Sequence, residues 1–141
     1  MNSFTLLFLA ALSAGIILQL WLSRRQIAYV FAHRNQVPAS FSEQVSQEAH
    51  HKAADYTLAK TRFGRLELII AGLWLLAWTW GGGLNLLDQA WRGLELSPLL
   101  TGIGFMLSAF ALMGVLDLPF AVYRTFSIEK RFGFNRTTPA L

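Results

Sequence analysis

Residues 4–22 form a nearly unbroken apolar run, interrupted only by Thr5, Ser13 and Gln19. About 20 such residues cross a bilayer core as a helix, because lipid offers the backbone no hydrogen-bond partners and a helix satisfies its own. Two later runs, over 66–87 and 99–119, have the same character, and 54% hydrophobic against 14% charged residues is too apolar for a soluble domain of 141 residues. The chain is therefore expected to be all-α: a multi-pass membrane protein with three transmembrane helices plus an amphipathic helix in the first inside loop. A cleavable leader is disfavoured, since Met1-Asn2-Ser3 carries no basic residue and Arg24-Arg25 follows the run directly. Trp21 beside those arginines fits an interfacial anchor.

The net charge is +4. Its cations flank apolar runs and do not form a stripe interleaved with aromatics, which argues against nucleic acid as a partner and leaves the lipid bilayer as the first one. No cysteine is present, so there is no disulfide, thiolate metal site or Cys nucleophile. Arginine and lysine are absent before the first run and dense over 23–65; one, Arg92, lies in the middle connection, and the rest follow Tyr123. Positive residues stay inside. This predicts an outside amino terminus, an inside helical loop over 23–65, an outside turn over 88–97 and an inside tail over 124–141, and places the inside segments on the cytoplasmic side.

Ile27, Val30, Phe31 and Arg34 continue a helical stripe, so the first helix is expected to run past the membrane surface until Asn35-Gln36-Val37-Pro38. Ser40 and Glu43 have the spacing of a capping box, and Phe41, Val45, Ala49, Ala53, Tyr56, Ala59 and Phe63 recur at helical spacing, which predicts an amphipathic helix. His50-His51 invites a metal reading with Asp55 one turn on. Two ligands are too few for zinc, and adjacent histidines point about 100° apart on a helix.

The second run is strongly apolar up to Trp80, where Gly81-Gly82-Gly83 interrupts it. It must either continue through the glycines to about Leu87 or take length from the helix before Gly64. The triplet is no phosphate loop, since no Gly-Lys-Ser/Thr follows. Ser97-Pro98 opens the third run with a cap and a first-turn proline, and Gly104 with Ser108 is a small pair that lets another element approach closely. Asp117 is read as the one carboxylate within reach of the hydrocarbon. It is kept as a candidate functional residue beside the simpler expectation that it pairs with Arg124 or another base at the inner boundary. Pro119 removes a helix hydrogen bond and is expected to kink or end the span.

From Pro119 onward the chain reads Tyr123-x-x-Phe126-x-Ile128-Glu129-x-x-Phe132-Gly133-Phe134-Asn135-x-x-Thr138. This resembles the segment after the third span of the integral-membrane zinc metallopeptidases related to CAAX prenyl protease 1. Tyr56-Thr57-Leu58-Ala59-Lys60-Thr61-Arg62-Phe63 is similar to that family's first inside loop, so the whole chain would match the family's amino-terminal region. The resemblance implies a helical enclosure around a zinc site, with peptide or protein substrates, prenylated or not. It marks Pro119, Tyr123, Phe126, Glu129, Phe132, Gly133, Phe134, Asn135 and Thr138 as family-motif positions of structural character. Members draw their zinc ligands and base from an H-E-x-x-H helix and a later glutamate, and this sequence contains no H-E-x-x-H. No catalytic or metal residue is therefore assigned here. Zinc and the catalytic domain are expected in the missing half of the same polypeptide, against which Phe132-Gly133-Phe134-Asn135 would dock. The alternative is a non-enzymatic three-span subunit that recruits a partner through its inside amphipathic helix.

Overall fold

The computed structural model describes residues 2–38 and 44–134. The expected capping box at Ser40 and Glu43, Phe41, and the motif residues Asn135 and Thr138 lie outside the described residues. Among those described, every regular element is helical.

Helix α1 spans Ser3–His33. Asn2 caps it by accepting from the Thr5 backbone N–H at 2.9 Å and the Thr5 hydroxyl at 2.8 Å. At 1.5 Å per residue its 31 residues extend about 46 Å, well beyond a hydrocarbon core of about 30 Å. The expected extension past residue 22 is thus present as one continuous helix.

Helix α2 spans Gln47–Thr79. Its cap is Ser46, which accepts from the Ala49 N–H at 3.1 Å. The amphipathic segment and the second apolar run form one rod that passes through Gly64, so of the two alternatives the run takes its length from the helix before Gly64. No proline or left-handed residue interrupts it there. The buried positions of its polar half are Ala54 and Leu58, neither of which is in the predicted stripe. That half is covered from two directions, by α1 and by the chain's carboxyl-terminal segment, so a single-face pattern misses the residues between.

The glycine triplet bends the chain. The N–H groups of Trp80 and Gly81 both donate to the Leu76 carbonyl at 2.8 Å, and Gly82 takes a left-handed φ of 82°. A Cβ on Gly81 would lie 2.6 Å from the Ala77 carbonyl oxygen, so the turn is closely packed. Helix α3, Gly83–Arg92, leaves at 47° to α2. Residues 88–92, expected in a polar connection, belong to this helix. Leu84, Leu87 and Trp91 form its apolar side, while Asp88 and Arg92 pair one turn apart at 2.7 Å.

Helix α4 spans Pro98–Tyr123, with Ser97 as cap and Pro98 in its first turn, as its sequence predicts. Pro119 does not end it. The chain continues through a π-helical segment, Arg124–Glu129. A proline deletes one donor, and in an apolar helix no water competes to unwind the neighbouring turns. Gly104 and Ser108 receive the ring of Trp91: its indole N–H donates to Ser108 Oγ at 3.0 Å, and a Cβ on Gly104 would come within 2.4 Å of that ring. By length and composition, α1 and Pro98–Glu129 can each cross a membrane alone, and α2 with α3 passes the same test as a bent pair.

Candidate functional site

Two features converge where α2 meets the end of α4. The first is an aromatic dock. Phe63 of α2 packs on Phe120 and Tyr123 of α4, with ring centroids 6.2 and 4.8 Å apart. Two turns earlier on α2, Tyr56 meets Phe132 edge-on at 5.6 Å and Phe134 at 4.8 Å. The geometry depends on Gly133, whose φ of 70° turns the chain so that the Phe134 N–H donates to the Glu129 carbonyl at 2.9 Å. Lys52 Nζ and Lys60 Nζ sit 5.8 Å from the rings of Phe134 and Tyr56 respectively, within cation–π range. Ile128 of the π-helical segment is buried beneath, and Phe126 and Glu129 are half-buried beside it. The motif expected to dock on a missing half therefore packs its Phe132 and Phe134 on this chain's own α2.

The second feature is a mainly apolar cavity of about 500 Å³ among α1, α2 and α4, whose lining includes Gln19, Glu67, Asp117 and Arg124. Arg124 is ion-paired with Glu67, contrary to the expected pairing with Asp117. The reason is level. Asp117 lies two helical turns, about 10 Å, before Arg124 on the same helix, whereas Glu67 stands across from it on α2. Among the described residues Asp117 makes no hydrogen bond or ion pair; it also lines a smaller cavity with Trp74, Trp78 and Met113. Glu67 was missed in the sequence because Arg65 and Leu66 place it at the start of an apolar run, where a carboxylate reads as a flank.

The histidines occupy a third place, the end of the α1–α2 pair farthest from the apolar runs. His50 Nε2–H donates to the His33 carbonyl at 3.3 Å, while His51 Nδ1 and Arg34 approach the Asp55 carboxylate at 3.3 and 3.8 Å. A guanidinium already beside Asp55 opposes a metal cation there. Among the described residues no group of three or more His, Asp or Glu is arranged to hold a metal, so this donor set does not fit zinc.

Long apolar helices and a bent helix pair that passes the same test of length and composition define a multi-pass integral membrane domain. The chain belongs to the CAAX prenyl protease N-terminal family: residues 26–141 match the family model, whose description is five membrane helices. It is 31% identical over 134 residues to the CAAX prenyl protease 1 homolog of Caenorhabditis elegans, covering 94% of this chain and 29% of that protein. It is 28% identical over 132 residues to the probable CAAX prenyl protease 1 of Schizosaccharomyces pombe, covering 84% and 27%. With the Arabidopsis thaliana CAAX prenyl protease 1 homolog the identity is 28% over 110 residues, covering 72% and 26%. The chain thus spans less than a third of the length of the curated relatives it matches. No solved structure matches it.

Proposed function

We propose that the chain is the amino-terminal membrane part of a zinc-dependent endopeptidase resembling CAAX prenyl protease 1, forming part of the helical wall around a catalytic site carried elsewhere in the polypeptide. Family membership over residues 26–141 is the observation that carries this reading. The dock supports it: seating Phe132 and Phe134 on Tyr56 fixes the course of the chain as it leaves α4, which is what an enclosure needs from a wall that must meet further helices. Zinc, when bound in the full-length protein, would supply a Lewis acid and an activated water; its ligands lie outside the described residues. The orientation proposed is amino terminus outside, first loop and carboxyl tail cytoplasmic, with peptide or protein substrates entering the enclosure. The recruitment alternative is weakened, because the Tyr56 and Phe63 face it would offer is already covered by Phe132, Phe134, Phe120 and Tyr123.

The full-length polypeptide, purified and reconstituted in lipid, should contain zinc by elemental analysis and cleave a prenylated carboxyl-terminal peptide. Cleavage should stop on chelation and return with added zinc. A metal-free full-length protein, or one that leaves both prenylated and unprenylated peptides intact, refutes the reading.

A further inference from the structure

We infer that Arg24, Arg25, Arg62 and Arg65 form a belt around the α1–α2 pair that binds the headgroup phosphates of anionic phospholipid.

Two contacts set the register of the antiparallel pair. Ile16 lies against Gly72, where an added Cβ would be 2.7 Å from Ile16 Cδ1, and Arg34 lies against Asp55. Eight residues along α1 from Ile16 is Arg24, and eight back along α2 from Gly72 is Gly64. Both steps are about 12 Å. Arg24 and Arg25 are therefore level with Arg62 and Arg65, in a band only about 5 Å deep. Trp21 lies just inside it, with the Arg25 guanidinium stacked 4.9 Å from its ring centroid. Indole rings settle at the headgroup boundary of a bilayer, so the band sits at phosphate depth.

Among the described residues the charge is uncompensated. Among the described residues Arg34, Arg92 and Arg124 each have a carboxylate partner, and the four belt arginines have none. Arg24, Arg25 and Arg62 are exposed and Arg65 is half-buried. Four guanidinium groups at one level repel each other unless a counter-charge is supplied. The choice of side chain says which counter-charge. Every cation at 24–25 and 62–65 is arginine, whose planar fork donates two parallel N–H bonds to a phosphate, while on α2 Lys60 follows about 3 Å beyond Arg62 and Lys52 farther still. Stacking on Trp21 holds one face of Arg25 and leaves its N–H edges free. This inference rests on the membrane location alone, not on the protease reading, and holds for either orientation.

The test uses the full-length protein in phosphatidylcholine nanodiscs doped with spin-labelled phosphatidylglycerol or spin-labelled phosphatidylcholine, comparing the motionally restricted fractions. The wild type is expected to prefer the anionic probe. The preference should fall by about fivefold for each Arg→Gln change in the belt and weaken as salt rises. The quadruple Arg→Lys variant, which keeps every charge and guards against misfolding, should retain an intermediate preference. Lys52→Gln, Lys60→Gln and Lys130→Gln together should leave it unchanged. An unaltered preference in the quadruple Arg→Gln variant overturns the belt. So does an equal loss in the lysine triple variant, which would mean diffuse positive charge. Wild-type behaviour of the Arg→Lys variant overturns recognition by the guanidinium fork, and displacement of the lipid probe by millimolar inorganic phosphate would assign the band to a soluble anion instead.

Discussion

The Glu67–Arg124 pair offers a direct way to test the register of α2 against α4. Its side chains are 22% and 43% exposed, between the fully wet pairs that contribute about 0–1 kcal/mol and the dry pairs whose breaking costs about 3–5 kcal/mol. Glu67→Gln, which leaves Arg124 charged beside an apolar helix, should therefore cost about 2 kcal/mol. Asp117→Asn should stay within about 0.5 kcal/mol, because that carboxylate has no partner to lose. The charge-exchanged double variant Glu67→Arg with Arg124→Glu should recover more than half of what either single change loses. Denaturant unfolding of the full-length protein in a fixed detergent, followed by helical circular dichroism, gives the free energies of the wild type, these variants and the two single charge changes. If Asp117→Asn is as costly as Glu67→Gln, or the exchanged pair recovers nothing, then Arg124 is held by Asp117 and the placement of the helices here is wrong.

Tyr56→Ala removes the ring shared by Phe132 and Phe134, each pair contributing about 0.5–1.5 kcal/mol, and should speed tryptic cleavage after Lys130 and Arg131, whereas Tyr56→Phe should not. Gly104→Leu drives a side chain into the Trp91 ring and should cost about 1–3 kcal/mol, with a shift in tryptophan emission as the indole leaves Ser108. Gly82→Ala meets no steric obstacle, yet the left-handed φ should cost about 1–2 kcal/mol of unfolding free energy. Cysteines near Glu48 should be labelled by reagents reaching the cytoplasmic side only, and cysteines near Gln89 by reagents outside; the reverse pattern would invert the proposed orientation.

What could be read from residues alone followed the strength of the local signal. The run over 4–22, the helical stripe beyond it and the Ser97-Pro98 start each carry their information in consecutive residues, and the structure has helices there. The Gly104 and Ser108 notch was legible as a small pair, but its occupant, a tryptophan arriving from α3, is a tertiary fact. Residues 88–92 were misread because charge density suggests a connection, while the Leu84, Leu87 and Trp91 spacing that makes them helical begins before the charges. Glu67 was invisible for a different reason. Its significance depends on which residue of a distant helix shares its depth, and no periodicity within α2 encodes that. The aromatic motif was legible as a family feature, yet its partner on α2 required the fold.

The length of α1 and α2 has a mechanical consequence. Beyond the level of Gly64, α2 extends 17 more residues to Gln47, about 25 Å, and its far part is tied to α1 through Arg34, Asp55, His33 and His50. The pair is thus a braced lever arm. A tilt of roughly 10° within the bilayer would sweep its tip by about 4 Å. Any part of the polypeptide resting on that tip would be displaced by a comparable distance whenever the helices tilt.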